Sequence, residues 1–358
     1  MSINNYDAIL LSSFGGPEGQ EDVIPFLKNV THGRGIPEER LEEVAHHYRH
    51  FGGVSPINEQ NRQLKAALEA ELARREIDLP VYWGNRNWAP YFPEAVQEAY
   101  NNGHTRLLGL VTSAYTSYSG VGQYREDFEK CLAETGLTEV VSIDRIREFF
   151  DHPGFINPLV EGVKRAVSDL AAQGVSDGVR IVFVTHSIPN SAANESGPEF
   201  GEGGAYVAQH LAAAQAISDR AAPDIPWSLV YQSRSGDPRI PWLEPDINDA
   251  IEEMGAESVR GIVIVPFGFV SDHMEVLWDL DNEAIETAEN NNIRAIRVPT
   301  PGIHPEFVSG LIDLVMERVN GTPVEERPAL TPLGPWPDHP TVGAPHPGGI
   351  APSAMAAS

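Results

Sequence analysis

Eight short apolar runs punctuate the chain, at residues 7–13, 81–84, 106–112, 139–143, 180–185, 227–232, 260–266 and 295–298. They are near-continuous rather than alternating, the pattern of parallel strands buried on both faces. Helical periodicity fills intervals between them, at 59–75, 92–101, 122–133, 158–172, 206–213 and 273–290. Strand–helix alternation of this kind specifies an α/β fold with parallel sheets. Eight strands fit one large sheet or two sheets of four. A weak hinge at 146–153, where a Phe-rich stretch gives way to Asp-His-Pro-Gly, favours two similar halves. The first is 1–146, joined by a last helix returning at 303–320, and the second is 147–302. From 321 to 358 there are nine prolines in 38 residues and little apolar periodicity, so this tail reads as an irregular or disordered extension.

Charge narrows the partners. Lys+Arg 25 against Asp+Glu 51 gives −26. A nucleic-acid partner needs a basic face to displace counterions, and anionic lipid needs a polybasic patch; both are disfavoured. Only local arginines can hold an acidic ligand. Cys131 is the one cysteine, which excludes an internal disulfide, a CxxC pair and a four-cysteine metal site. No apolar run approaches the ~18 residues of a membrane span. The opening MSINNYD has no basic region and leads into a strand. A soluble, cytoplasmic protein is expected.

Nucleotide motifs are not matched. Phe14-Gly15-Gly16-Pro17-Glu18-Gly19 follows the first strand but departs from GxGxxG, and Pro17 removes an N–H that a phosphate cradle would use. Gly120-Val121-Gly122 has Arg125 where a third glycine belongs. These glycines read as tight turns.

Chemistry concentrates in two places. In Thr185-His186-Ser187-Ile188-Pro189, His186 sits just past the carboxyl end of a strand, the edge where open α/β sheets bind ligands. Taken alone it reads equally as a base, a metal ligand or a turn residue. The second place runs from Pro266 through Glu283. A strand ends, Gly268 turns the chain, and Ser271 or Asp272 can cap a helix. Glu275, Asp279 and Glu283 follow at i, i+4, i+8 on one ridge. Seven acids and no Lys or Arg lie between Asp272 and Glu289. Like charges at i,i+4 cost roughly 0.2–0.5 kcal/mol per pair, so a cation is wanted there. A carboxylate row suits the transit of a hard divalent ion; it reads equally as a solvated acidic face. Both segments begin at carboxyl ends in the same half, so His186 and Glu275 can face one another across a crevice.

At this point the residues resemble the ferrochelatase family. The histidine motif and Phe267-Gly268-Phe269-Val270-Ser271-Asp272-His273-Met274-Glu275-Val276-Leu277-Trp278-Asp279 carry the likeness. So do Ser13-Phe14-Gly15-Gly16-Pro17, Tyr48 with Gly52-Gly53-Val54-Ser55-Pro56-Ile57-Asn58, and Tyr231-Gln232-Ser233 with Pro241-Trp242-Leu243. The resemblance implies two Rossmann-like domains, each a parallel four-stranded sheet flanked by helices, with a porphyrin cleft between them. It implies insertion of Fe(II) as a substrate, with no permanently bound cofactor, by a monomer. His186 and Glu275 take the catalytic positions, and with Asp279 and Glu283 the metal positions. Phe14, Arg34, Arg49, Ser55 and Tyr124 fall in segments that flank the porphyrin. The chain resembles the soluble Gram-positive branch, which implies coproporphyrin III and coproheme as substrate and product.

Departures bound the carry-over. Phe14 stands where some relatives have a tyrosine, and Asn87 where some have an outer metal-site histidine. Some members hold a [2Fe–2S] cluster on four cysteines, which Cys131 alone cannot do, so no iron–sulfur cluster is expected. Protoporphyrin IX as substrate, a cobalt or nickel chelatase, and a non-catalytic tetrapyrrole carrier are the alternatives.

Overall fold

A computed structural model describes residues 5–33 and 35–351. Strands β1 (Ala8–Ser13), β2 (Val81–Asn85), β3 (Arg106–Val111) and β4 (Ser142–Arg145) pair in parallel in the order β2-β1-β3-β4. Strands β5 (Val179–His186), β6 (Trp227–Gln232), β7 (Gly261–Val265) and β8 (Arg294–Arg297) pair in parallel in the order β6-β5-β7-β8. The two orders are the same when each sheet is numbered from its own first strand. Each sheet therefore has its switch point beside its first strand, where loops part and leave a crevice.

Two expectations need correction. The first sheet has a fifth strand, β9 (Val342–Gly343), antiparallel to β4. It comes from the Pro-rich tail, whose described residues, 321–351, are irregular but held by specific partners. Trp336 packs on Phe150 and Phe200, with centroids 5.7 Å away in each case. His339 Nε2 lies 2.9 Å from Glu148, His346 Nε2 lies 3.1 Å from Asp144, and Asp338 meets Arg318 and Arg327 at 2.8 and 2.7 Å. Composition registers the prolines but not these pairings. The fourth strand also begins later than its apolar run. Gly136, at φ +70°, ends the preceding helix, and Leu137 and Val141 close turns onto it through Leu132 and Leu137 carbonyls.

Helices Val23–Val30, Glu38–His50, Asn190–Glu195 and Ile247–Ala256 were not foreseen. The second buries only Leu41 and Ala45, too few apolar residues to show a period.

One core cluster joins the halves. It contains Ile9 and Leu11 of β1, Ile181 and Phe183 of β5, and Val263 and Val265 of β7. Helices Pro153–Ala172 and Pro305–Asn320 lie between the sheets and feed Phe155, Leu159, Phe307 and Leu311 into it. Their crossing depends on two glycines: a Cβ on Gly154 would stand 2.6 Å from the Gly310 Cα.

Candidate active site

His186 closes β5, the central strand at the second switch point. Its Nδ1 bonds the Ser187 carbonyl, which turns Nε2 toward Glu275, 3.6 Å from Oε2. The Tyr206 hydroxyl donates to the His186 carbonyl at 2.8 Å and lies 2.9 Å from Thr185 Oγ1, tying down the strand end. Beyond β7 the chain passes behind the histidine at Gly268. A Cβ there would lie 2.3 Å from Thr185 Oγ1, so only glycine lets the loop through.

The acidic helix starts at Met274 and is π-wound over Val276–Ala284 before turning α-helical. Such winding, with i→i+5 bonds, is frequent at functional sites. Neither Ser271 nor Asp272 caps it. His273 Nδ1 accepts from Glu275 N at 3.2 Å, while Asp272 accepts from Arg297 at 3.2 Å and Thr300 Oγ1 at 3.0 Å. Arg297, arriving on β8, also grips Asp281 at 2.8 Å through Nη2. It relieves Asp272 and Asp281, whereas no Lys or Arg among the described residues pairs with Glu275, Asp279 or Glu283. Glu283 accepts from Trp278 Nε1 at 2.9 Å. Asp279 Oδ2 accepts from the Ser233 hydroxyl and, at 3.2 Å, from Gln232 Nε2.

Burial disfavours charge on His186, but the carboxylate of Glu275 more than offsets it and holds the imidazolium up to about 9. Glu275 is correspondingly driven down to about 2: burial opposes ionisation, and His186 and then His273 outweigh it. Asp279 goes the other way, up to about 7, through burial and then the neighbouring charge of Glu275. Two carboxylates four residues apart thus have opposite proton affinities. On the facing wall, Tyr48 of helix Glu38–His50 has its hydroxyl proton held well above the ordinary range, first by burial and then by Glu275 and Asp279. His47 of the same helix stacks on Trp278, centroids 4.1 Å apart and planes 7° from parallel. First-half and second-half elements therefore meet at this site.

The other sequence candidates are dispersed. Phe14, half-exposed at the end of β1, stands edge-on to Phe26 at 6.2 Å. Asn87 N donates to the Phe14 carbonyl at 3.0 Å. Ser55 is buried against Gly16, and its N–H donates to the Pro17 carbonyl at 2.9 Å. Tyr124 is buried among Phe92 and Phe128 with the Arg86 guanidinium 4.0 Å above its ring. Arg49 is exposed and pairs with Glu42 at 2.6 Å. Arg34 lies outside the described residues. Sequence reasoning gave no role to Gln232, Ser233, His273 or Trp278, although each lay inside a quoted motif.

No group of three or more His, Cys, Asp or Glu side chains among the described residues is arranged to hold a metal. His186 Nε2 and Glu275 Oε2, 3.6 Å apart, are two donor atoms of kinds that a divalent cation accepts.

The two sheets of like strand order give a fold shared with solved chelatases. The solved sirohydrochlorin chelatase SirB from Bacillus subtilis subspecies spizizenii, in complex with cobalt, aligns with TM-score 0.50 at 11% identity, covering 88% of this chain and 96% of that one. SirB from Bacillus subtilis with Fe3+ also gives 0.50, at 13% identity and 88% and 97% coverage. The ferrochelatase family model matches residues 6–319, and the chain belongs to that family. Among its relatives, the coproporphyrin III ferrochelatase of Leifsonia xyli subsp. xyli is 62% identical, covering 93% of this chain and 89% of that one. Its counterpart from Streptomyces coelicolor is 56% identical over 87% and 85%. A ferrochelatase of Rhodopirellula baltica is 46% identical over 93% and 91%. No helix among the described residues is long and apolar enough to cross a membrane.

Proposed function

We propose that this protein inserts Fe(II) into coproporphyrin III to give coproheme, a step of heme biosynthesis, with His186 and Glu275 at the reacting centre. The observation that carries the reading is the His186–Glu275 pair, 3.6 Å apart at the carboxyl edge of a switch point, within a ferrochelatase-family chain. The names of its close relatives support the choice of porphyrin.

The chemistry requires three things. A flat macrocycle must be bent so that its nitrogen lone pairs turn outward, and contacts spread over the ring supply that work. A cation must reach the nitrogens. Two pyrrole protons must leave, which needs a base. In the resting pair the proton sits on His186 and the charge on Glu275. A dication arriving beside Glu275 takes over the role of that proton, which leaves His186 for solvent; Nε2 is then free to accept the two pyrrole protons in turn, each released to solvent before the next is taken. Asp279 and Glu283 continue the row outward and carry metal in or protons out: Asp279, its proton held up to about 7, gives that proton to solvent when a cation arrives. The two-ligand centre binds iron loosely enough to surrender it to four nitrogens. With one cysteine in the chain, the reaction is assigned no iron–sulfur cluster.

Anaerobic mixing of the protein with Fe(II) or Zn(II) and free coproporphyrin III tests the reading. The free-base visible bands are expected to collapse to those of a metalloporphyrin. Tight binding without metallation would make the protein a carrier. A clear preference for protoporphyrin IX in competition would defeat the porphyrin assignment alone.

A further inference from the structure

The carboxyl end of β6 carries two polar residues to which the mechanism above gives no role. Gln232 stands beside His186 in the β5–β6 register and is 1% exposed. Its carbonyl accepts from Ser187 N at 2.8 Å. Its side-chain amide spans the gap from strand to helix, with Nε2 3.1 Å from the Glu275 carbonyl and 3.2 Å from Asp279 Oδ2. Ser233 Oγ, also at 3.2 Å, shares the two amide protons. Ser233 itself has φ +60°, a left-handed conformation disfavoured for any residue with a Cβ. In that conformation its hydroxyl donates to Asp279 Oδ2. One oxygen of Asp279 is thus held by two donors, and neither of them occupies the other.

We propose that Gln232 and Ser233 are positioning residues for metal insertion: they clamp Asp279 by one oxygen and fix the first turn of the acidic helix relative to His186, so that the second oxygen receives the incoming cation. The inference rests on the function proposed above. A left-handed serine persists only where its surroundings hold it, and what holds this one is the carboxylate it serves. Glu275 and Glu283, four residues to either side, repel Asp279 once it ionises. Without the two donors its side chain would turn outward, and the row would lose its middle member. Because Gln232 bonds both the Glu275 backbone and Asp279, a single side chain on the strand beside His186 sets the position of two acids.

Ser233→Gly separates this role from a merely structural one. It removes the hydroxyl and relieves the backbone, so the thermal midpoint should hold or rise. The KM for Fe(II) or Zn(II) should nevertheless increase roughly tenfold, as expected for losing a hydrogen bond to a carboxylate. The KM for porphyrin should stay within about twofold. Gln232→Leu, which keeps the bulk without the amide, should move the metal KM the same way. In an Asp279→Asn background, Ser233→Gly should add little, because the shared partner is already altered. Unchanged metal dependence in both variants, or fully additive effects in the double variant, would overturn the positioning role while the wild type still inserts metal. A wild type that inserts no metal would defeat the proposed function and this inference with it.

Discussion

His186 shows how far one residue can be read before its surroundings are known. Its place after an apolar strand put it at a ligand-binding edge, and the edge did hold a carboxylate at 3.6 Å. What the residue pattern lacked was the sign of its proton affinity, because burial and Glu275 act in opposite directions and only distance decides between them. NMR titration of His186 is expected to give a pKa near 9, well above the ordinary value of 6.5, and Glu275→Gln should lower it, because the largest influence opposing burial is then lost while the Ser187 carbonyl and Asp279 remain. A His186 that titrates alike in both proteins would mean the pair is not coupled. A histidine raised in this way stabilises the fold fully below pH 6.5, and that contribution is lost as pH rises through about 9. For activity, His186→Ala is expected to cut metal insertion by roughly 10²–10⁴-fold while porphyrin still quenches protein fluorescence on binding. Near wild-type turnover would reduce His186 to a turn residue. Glu275→Gln should be comparably impaired, whereas Glu283→Gln, two steps further along the row, should raise the metal requirement more than it lowers the maximal rate. Equal, small effects at both positions would return the row to a solvated face.

At the scale of elements, the strands were legible because both of their faces are buried and their apolar runs are unbroken. The helix at 273–290 was legible as a helix but not in its winding or its cap. The cap came from His273, a residue type rarely read that way, and relief of Asp272 and Asp281 came from Arg297 on the strand that follows the helix. Neither pairing has a spacing that apolar periodicity records. The same holds for the crossing of helices Pro153–Ala172 and Pro305–Asn320. Nothing in either segment says that Gly154 and Gly310 meet backbone to backbone, yet a Cβ on Gly310 would lie 2.7 Å from the Gly154 Cα. Gly310→Ala is expected to destabilise the protein by about 1–3 kcal/mol through overpacking, read as a lowered denaturant midpoint at unchanged slope. Helix propensity alone favours alanine by roughly 1 kcal/mol, so a stabilised variant would show that the crossing is looser than described.

For the whole molecule, two sheets could be anticipated, but their shared core and the docked tail could not, since both depend on contacts between distant segments. Net charge, by contrast, is fully legible, and it constrains how substrate arrives. Coproporphyrin III carries four propionates, so the proposed encounter sets a tetra-anion against a chain of charge −26. Among the described residues, Arg49 is paired with Glu42, Arg86 with Asp127, and Arg297 with Asp272 and Asp281. Long-range attraction is therefore absent, and the ring must be captured by short-range contacts after diffusing against a repulsive field. Raising ionic strength from about 0.01 to about 0.15 M shortens the screening length from roughly 30 to roughly 8 Å. The kcat/KM for porphyrin is accordingly expected to increase over that range, and the increase should be smaller for protoporphyrin IX, which has two propionates. A kcat/KM that falls with salt would mean that a local cationic patch, and not the net charge, governs the approach of the ring.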